Sequence, residues 1–104
     1  MLMVNTNDIP GREIREVLGL VKGNTIQSKH VGKDLMAGLK TLVGGEISEY
    51  TEMLSEARDI AIRRMLKEAE DMGADAVVNI RFATSAIMQG AAELLVYGTA
   101  VKLK

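Results

Sequence analysis

The chain has 104 residues, is 47% hydrophobic, carries 13 basic and 14 acidic side chains, and contains no Cys, no Trp, one His, one Phe and two Tyr. This is the make-up of a single globular domain, expected over residues 1–104, without disulfides, thiol nucleophiles or Cys-ligated metal centres. A formal net charge of −1 and so few aromatic rings argue against a nucleic-acid partner and against a flat organic cofactor.

Residues 1–11 are expected to form a short strand followed by a turn. The first four residues are apolar, and the Pro-Gly pair within residues 7–11 is a turn signature. Asn5 interrupts the apolar start and no basic stretch precedes it, so a secretory signal is not expected. No uncharged run is long enough to span a bilayer, and we therefore expect a cytoplasmic protein without a membrane partner.

A strand is predicted at about residues 13–22. Its apolar residues mostly lie two apart, while Gly19 and Gly23 disfavour a helix. Apolar residues occur on both faces of this strand, so both faces are expected to be covered. The polar residues 24–32 form a connection that could extend the strand.

The middle of the chain predicts two helices. Apolar residues recur every three or four positions over residues 33–43, which predicts a short helix that ends at the following glycine pair. Ser48 is expected to cap a longer helix that ends at about residue 72, because Gly73 follows.

Two strands complete the chain. Alternation over residues 74–83 predicts a strand with one buried face. The residues of that face are Val78, Ile80 and Phe82. Residues 84–90 are expected to form a loop or a wide hairpin, and residues 92–103 a last strand that is apolar on both faces. Since one helical layer covers one face of a sheet, the second apolar face predicts contact with another subunit.

Together these elements predict an α+β fold in two layers. An antiparallel sheet of about three main strands is packed by a long helix and a short helix, in the order β-α-α-β-β. A short N-terminal strand is compatible with this order. The uncovered sheet face predicts a homo-oligomer.

A set of short motifs is spread over the chain beyond about residue 14. The motifs are Met36-Ala37-Gly38, Gly44-Gly45, Tyr50, Ala57-Arg58, Ala61, Glu68-Ala69, the run Gly73-Ala74-Asp75-Ala76-Val77-Val78 and the closing Gly98-Thr99-Ala100-Val101. As a set they resemble the YbjQ-like family of small bacterial and archaeal proteins, although no single motif would carry the resemblance.

The resemblance implies a two-layer α/β fold assembled as a ring-shaped homopentamer. The family carries a heavy-metal-binding label and no established reaction, so no functional residue is transferred from it. One departure concerns Glu46-Ile47, which replaces the Arg-Ser pair that often follows the double glycine. The charge at that point is reversed.

Ligands for a divalent metal ion are few in this chain. His30 is one candidate, because a ring repeats a single ligand around one axis, although the lysines beside it disfavour a cation. Glu49 and Glu52 are further candidates, since carboxylates on one helical face can hold a hard cation. The alternatives are an ordinary loop histidine and acidic residues that complement the helix dipole. The methionines on the helical stripes are expected to be core residues.

Asn79, Arg81 and Glu93 are the candidates for a small-ligand site between subunits. They lie in or beside predicted strands, and Asn79 and Arg81 point away from the predicted buried face. Arg81 is the residue chosen to hold an anion, because its guanidinium offers a fork of donors. The alternative is that all three are solvated at a sheet edge or contact another subunit.

Three functions are compatible with these patterns. The leading one is a non-enzymatic, oligomeric binding protein with a small ligand or a metal ion at subunit interfaces. The others are an enzyme whose site is completed between subunits, with Arg81, Glu93 or His30 taking part, and a purely structural assembly protein. No catalytic residue is assigned, because the sequence holds neither a Gly-x-Ser-x-Gly motif nor a phosphate-binding glycine pattern.

Overall fold

The computed structural model of the protein describes residues 1–28 and 48–104. These residues form four strands and one helix. In chain order they are β1 (Leu2–Met3), β2 (Ile14–Ser28), α1 (Ser48–Asp71), β3 (Ala76–Met88) and β4 (Ala91–Leu103). The predicted α+β class is confirmed.

The four strands form one mixed sheet in the order β1-β3-β4-β2. β4 pairs antiparallel with both β2 and β3, whereas β1 runs parallel to β3. The expected antiparallel sheet of about three main strands is wrong in strand count and in the direction of one pair, because β1 adds a short parallel edge. After β1, the main elements follow the order β-α-β-β instead of β-α-α-β-β. The short helix predicted over residues 33–43 lies outside the described residues.

The path of the segment between β1 and β2 explains why β1 pairs parallel with β3. β1 and β2 lie at opposite edges of the sheet and run in the same direction, so residues 4–13 cross one sheet face. Ile9 is buried in this crossing, in a cluster with Val78 and Val101. Its backbone bridges to Arg12 across the Pro-Gly turn. The crossing therefore covers one end of the face that points away from α1.

Helix α1 packs on the other sheet face. Its buried stripe consists of alanines and a methionine four residues apart, which lets the helix backbone approach the strands closely. The fully buried residues of this core are Val21, Ala61, Met65, Ala69, Val77, Val96 and Ala100. Among the described residues no helix is long and apolar enough to cross a bilayer.

Helix and sheet approach each other closely at Gly23 in β2. A Cβ atom at this position would meet the carbonyl oxygen of Ala61 and would lie 2.5 Å from the Met65 nitrogen. Next to it, Arg64 Nη1 donates a hydrogen bond to the Asn24 carbonyl oxygen at 2.7 Å. The helix backbone thus occupies the space that any side chain at position 23 would need.

The alternation of faces in β3 changes at Asn79. The register against β4 contains one extra residue between Val78 and Arg81, a β-bulge, and Asn79 takes a φ of 57°, which Asn tolerates better than most residues. Consequently Val78 lies on the face away from α1, whereas Ile80 packs against the core beneath the helix. The prediction that Val78 shares a face with Ile80 and Phe82 is wrong for this reason.

Two of the long strands, β2 and β3, extend further than predicted. β3 continues to Met88, so residues 84–88 are strand and not loop, and Gln89 and Gly90 form the turn to β4. β2 likewise reaches Ser28. The radius of gyration is 17.1 Å, compared with about 13 Å for a compact domain of roughly this length. The chain is therefore elongated, with long stretches of strand edge.

Thr25 in β2 is 4% exposed, and its Oγ1 has no hydrogen-bond partner within the described part of the chain. An unpaired buried hydroxyl costs about 1–3 kcal/mol. We expect Thr25→Val, which keeps the shape, to raise the free energy of unfolding by about 1 kcal/mol in urea denaturation. The control Thr84→Val, at an exposed position, is expected to change it by less than about 0.5 kcal/mol. A loss of stability in Thr25→Val would show that the hydroxyl is paired.

Candidate functional site

A cleft of about 470 Å³ opens beside β3. The N-terminal segment, α1 and β3 each contribute to its walls. The lining residues are Met3, Val4, Asn5, Ile62, Ile80, Arg81 and Phe82. The volume falls within the range of roughly 300–1,000 Å³ found for small-molecule sites.

The cleft exists because the N-terminal segment leaves β3 at the bulge. β1 pairs only with the first residues of β3, and three further backbone bonds extend the contact, the first of them from the Val4 N–H to the Val77 carbonyl at 3.0 Å. The Asn79 N–H donates to the Thr6 carbonyl at 2.8 Å, and the Ile80 N–H donates to the Val4 carbonyl at 3.2 Å. Beyond Ile80, no described strand pairs with this side of β3. The remainder of this β3 edge is therefore unpaired among the described residues, with the cleft at its start.

Arg81 is the charged residue of the described lining. Its Nη1 donates to the carbonyl oxygens of Asn5 and Ile80, each at 2.9 Å. The guanidinium carries five N–H donors, so these two bonds leave Nε and Nη2 without a partner among the described residues. None of the described lining residues is acidic. The cleft therefore combines apolar walls with one positive charge.

The structure brings together two of the three residues predicted for a ligand site. Asn79 forms the bulge next to Arg81, and its Oδ1 is buried without a partner among the described residues. Glu93 lies elsewhere: its carboxylate accepts a hydrogen bond from Asn24 Nδ2 at 3.3 Å, and its register partner on β3 is Ser85. That position is four residues along the strand from Arg81, about 13 Å away.

The predicted metal ligands are not assembled within the described residues. His30 lies outside those residues. Glu49 is in the first turn of α1, and the Glu52 side chain is exposed. No group of three His, Cys, Asp or Glu side chains that could hold a metal ion occurs in the part of the chain that the structure describes.

A second, smaller cleft of about 230 Å³ lies between the start of α1 and the β3–β4 turn. It is lined in part by the thioethers of Met53 and Met88. Soft cations accept thioether sulfur, but the described lining adds no thiolate, imidazole or carboxylate. The described residues of a single chain therefore do not fit a heavy-metal site.

Most of the residues that line the cleft beside β3 are not predicted as site residues from the sequence. Met3, Val4, Asn5 and Ile62 carry no local pattern that points to a ligand, since they meet β3 only through the crossing segment and the helix packing. Phe82 is predicted to lie on a buried strand face, but that prediction is wrong, since its side chain is 49% exposed beside the cleft.

Comparisons with known proteins find relatives that match this chain over its whole length. The model of the YbjQ family, described as "Putative heavy-metal-binding", matches residues 1–104. A UPF0145 protein of Clostridium novyi is 67% identical over 103 residues, which is 99% of each chain. A UPF0145 protein of Archaeoglobus fulgidus is 62% identical over 104 residues, which is 100% of this chain and 96% of the other.

A solved structure shows the same fold at low identity. The crystal structure of a protein of unknown function from Pediococcus pentosaceus, assigned to the DUF74 family, aligns with a TM-score of 0.65 and 13% identity, covering 100% of this chain and 98% of the other. At that identity the likeness concerns the fold alone. The family match over the whole chain and the relatives above 60% identity carry the assignment. This chain belongs to the YbjQ family, together with the UPF0145 proteins.

Proposed function

We propose that this protein is a non-enzymatic homo-oligomer that binds a small ligand in the cleft beside β3, at the boundary between subunits. The observation that carries the proposal is a sheet face with water-exposed apolar side chains next to open strand edges. The assembly we propose is the ring-shaped pentamer that the resemblance to the YbjQ-like family implies.

The sheet face away from α1 is covered at one end only among the described residues. We call the remainder the open face, and its exposed or half-buried apolar residues are Val17, Leu20, Ile26, Leu95 and Tyr97. Leu20 is 67% exposed and Ile26 is 61% exposed. Burial of apolar surface is worth about 25 cal/mol per Å², and contiguous exposed patches on small proteins mark interaction surfaces. A second copy of the chain would bury this face.

The sheet edges support the same conclusion. Among the described strands, β2 forms one edge, and β3 beyond Ile80 forms the other. Unpaired strand edges offer N–H and C=O groups to other chains, and native proteins normally cover them. Two different edges on one chain suit a head-to-tail contact, which closes into a ring when the rotation between copies permits.

A ligand site at the subunit boundary follows from the place of the cleft. It opens at the start of the free β3 edge, where a neighbouring copy would complete its wall. The described residues do not favour a metal ion here, because Arg81 would repel it. A metal ion held by several copies of His30, or of Glu49 and Glu52, stays a prediction.

Lysine substitutions on the open face test whether this face forms the interface between subunits. We expect Leu20→Lys combined with Ile26→Lys to yield monomers, because the interface would have to desolvate two added charges, and only the lysine at position 26 would have a carboxylate, that of Glu93, opposite it. The molar mass is measured by light scattering after size-exclusion chromatography, with circular dichroism to show that α1 is retained.

The matched control is Ser55→Lys combined with Glu56→Gln, which adds the same charge on the exposed side of α1. It is expected to keep the wild-type mass. If the open-face variant also keeps the wild-type mass, the open face is not the interface and this part of the proposal is wrong.

A further inference from the structure

The cleft beside β3 combines one guanidinium with apolar walls, and this combination indicates the class of ligand that it binds. We infer that it binds a small carboxylate with an apolar body, of the kind represented by medium-chain fatty acids. This inference rests on the proposed function, in which this cleft is the binding site.

Arg81 is the residue that would bind the carboxylate group of the ligand. Two backbone carbonyls, those of Asn5 and Ile80, hold Nη1 in place before any ligand arrives. A guanidinium fixed in this way loses little freedom on binding, and its remaining donors match the two oxygens of a carboxylate. The described lining contains no acidic side chain that would compete for these donors.

The other lining residues of the cleft would contact the apolar part of the ligand. Met3, Val4, Ile62, Ile80 and Phe82 are hydrophobic, and Met3 and Phe82 are still exposed to water. A ligand that covers them gains from burial of apolar surface. A strongly hydrated anion such as phosphate would gain nothing from these walls, and a metal cation would meet the charge of Arg81.

The first test uses the wild-type protein and four probes: octanoate, octanol, octylamine and acetate. Isothermal titration calorimetry is expected to show octanoate binding about tenfold or more tightly than octanol or acetate, because a hydrogen bond to a charged group and a buried chain each contribute. Octylamine is expected not to bind. The inference is overturned if octanol or acetate equals octanoate, or if octanoate does not bind.

The second test locates the site. Arg81→Gln is expected to weaken octanoate binding about tenfold or more while octanol binding stays unchanged. The control Arg58→Gln removes the same charge from an exposed position on α1 and is expected to leave both affinities unchanged. If Arg81→Gln does not fold, Arg81→Lys keeps the charge without the fork and is expected to bind octanoate with intermediate affinity. Wild-type affinity in Arg81→Gln would place octanoate elsewhere and contradict the inference.

The molar mass of the same samples separates the two proposals. An oligomer that does not bind octanoate overturns the ligand class and leaves the assembly standing. A monomer that binds octanoate through Arg81 overturns the assembly and supports the ligand class.

Discussion

Replacement of Gly23 by Ala is expected to destabilise the protein by about 3 kcal/mol or more, which corresponds to a fall in Tm of roughly 12–24 °C. The added methyl group would coincide with the backbone of α1, at Ala61 O and Met65 N. Backbone atoms cannot rotate away as a side chain can, so the whole helix would have to move off β2. Differential scanning calorimetry at one fixed protein concentration measures the effect, because the Tm of any protein that assembles depends on its concentration.

The control for this prediction is Gly11→Ala. Gly11 has a φ of +83°, and a Cβ atom there meets nothing within 4 Å. Its substitution therefore carries only the conformational cost of a left-handed residue, about 1 kcal/mol. If Gly23→Ala costs no more than Gly11→Ala, helix and strand are further apart than the structure shows.

Replacement of Met65 by Ala is expected to cost about 3 kcal/mol, within the usual range of about 2–5 kcal/mol for a buried Met or Leu. Met65 is fully buried, at the centre of the core between α1 and the sheet. Its neighbours on the helical stripe, Ala61 and Ala69, are too small to fill the cavity. The free energy of unfolding from urea denaturation, compared at equal protein concentration, measures the loss.

Met65→Leu is the matched control, because it nearly conserves volume and is expected to cost less than about 1.5 kcal/mol. Equal stability of Met65→Ala and the wild-type protein would contradict the described core.

The sequence predicts the elements of this fold better than their arrangement. The alanine and methionine spacing defines α1 because a stripe of small apolar residues repeats with the helical period. The parallel pairing of β1 was not predictable, since it depends on residues 4–13 crossing the sheet. The bulge at Asn79 was missed for a related reason. A one-residue insertion changes which face each later residue occupies without altering the alternating pattern itself.

The candidate site likewise contains residues that the sequence predicts and contacts that it does not. Arg81 was predicted from its residue type and its place on a strand, and it does line the cleft. Its carbonyl partner Asn5 is 76 positions away in the sequence, so no local pattern connects the two. The sequence predicts Glu93 near Arg81 because the two lie in neighbouring strands, but only the hairpin register determines their separation. His30 stays a prediction, since it lies outside the described residues.

The mass of the wild-type protein in solution tests the proposed assembly most directly. Sedimentation equilibrium at micromolar concentration is expected to give a multiple of the mass of one chain, and a pentamer if the ring proposal is right. A single species with the mass of one chain at micromolar concentrations would contradict the proposed assembly and the location of any ligand site at a subunit boundary.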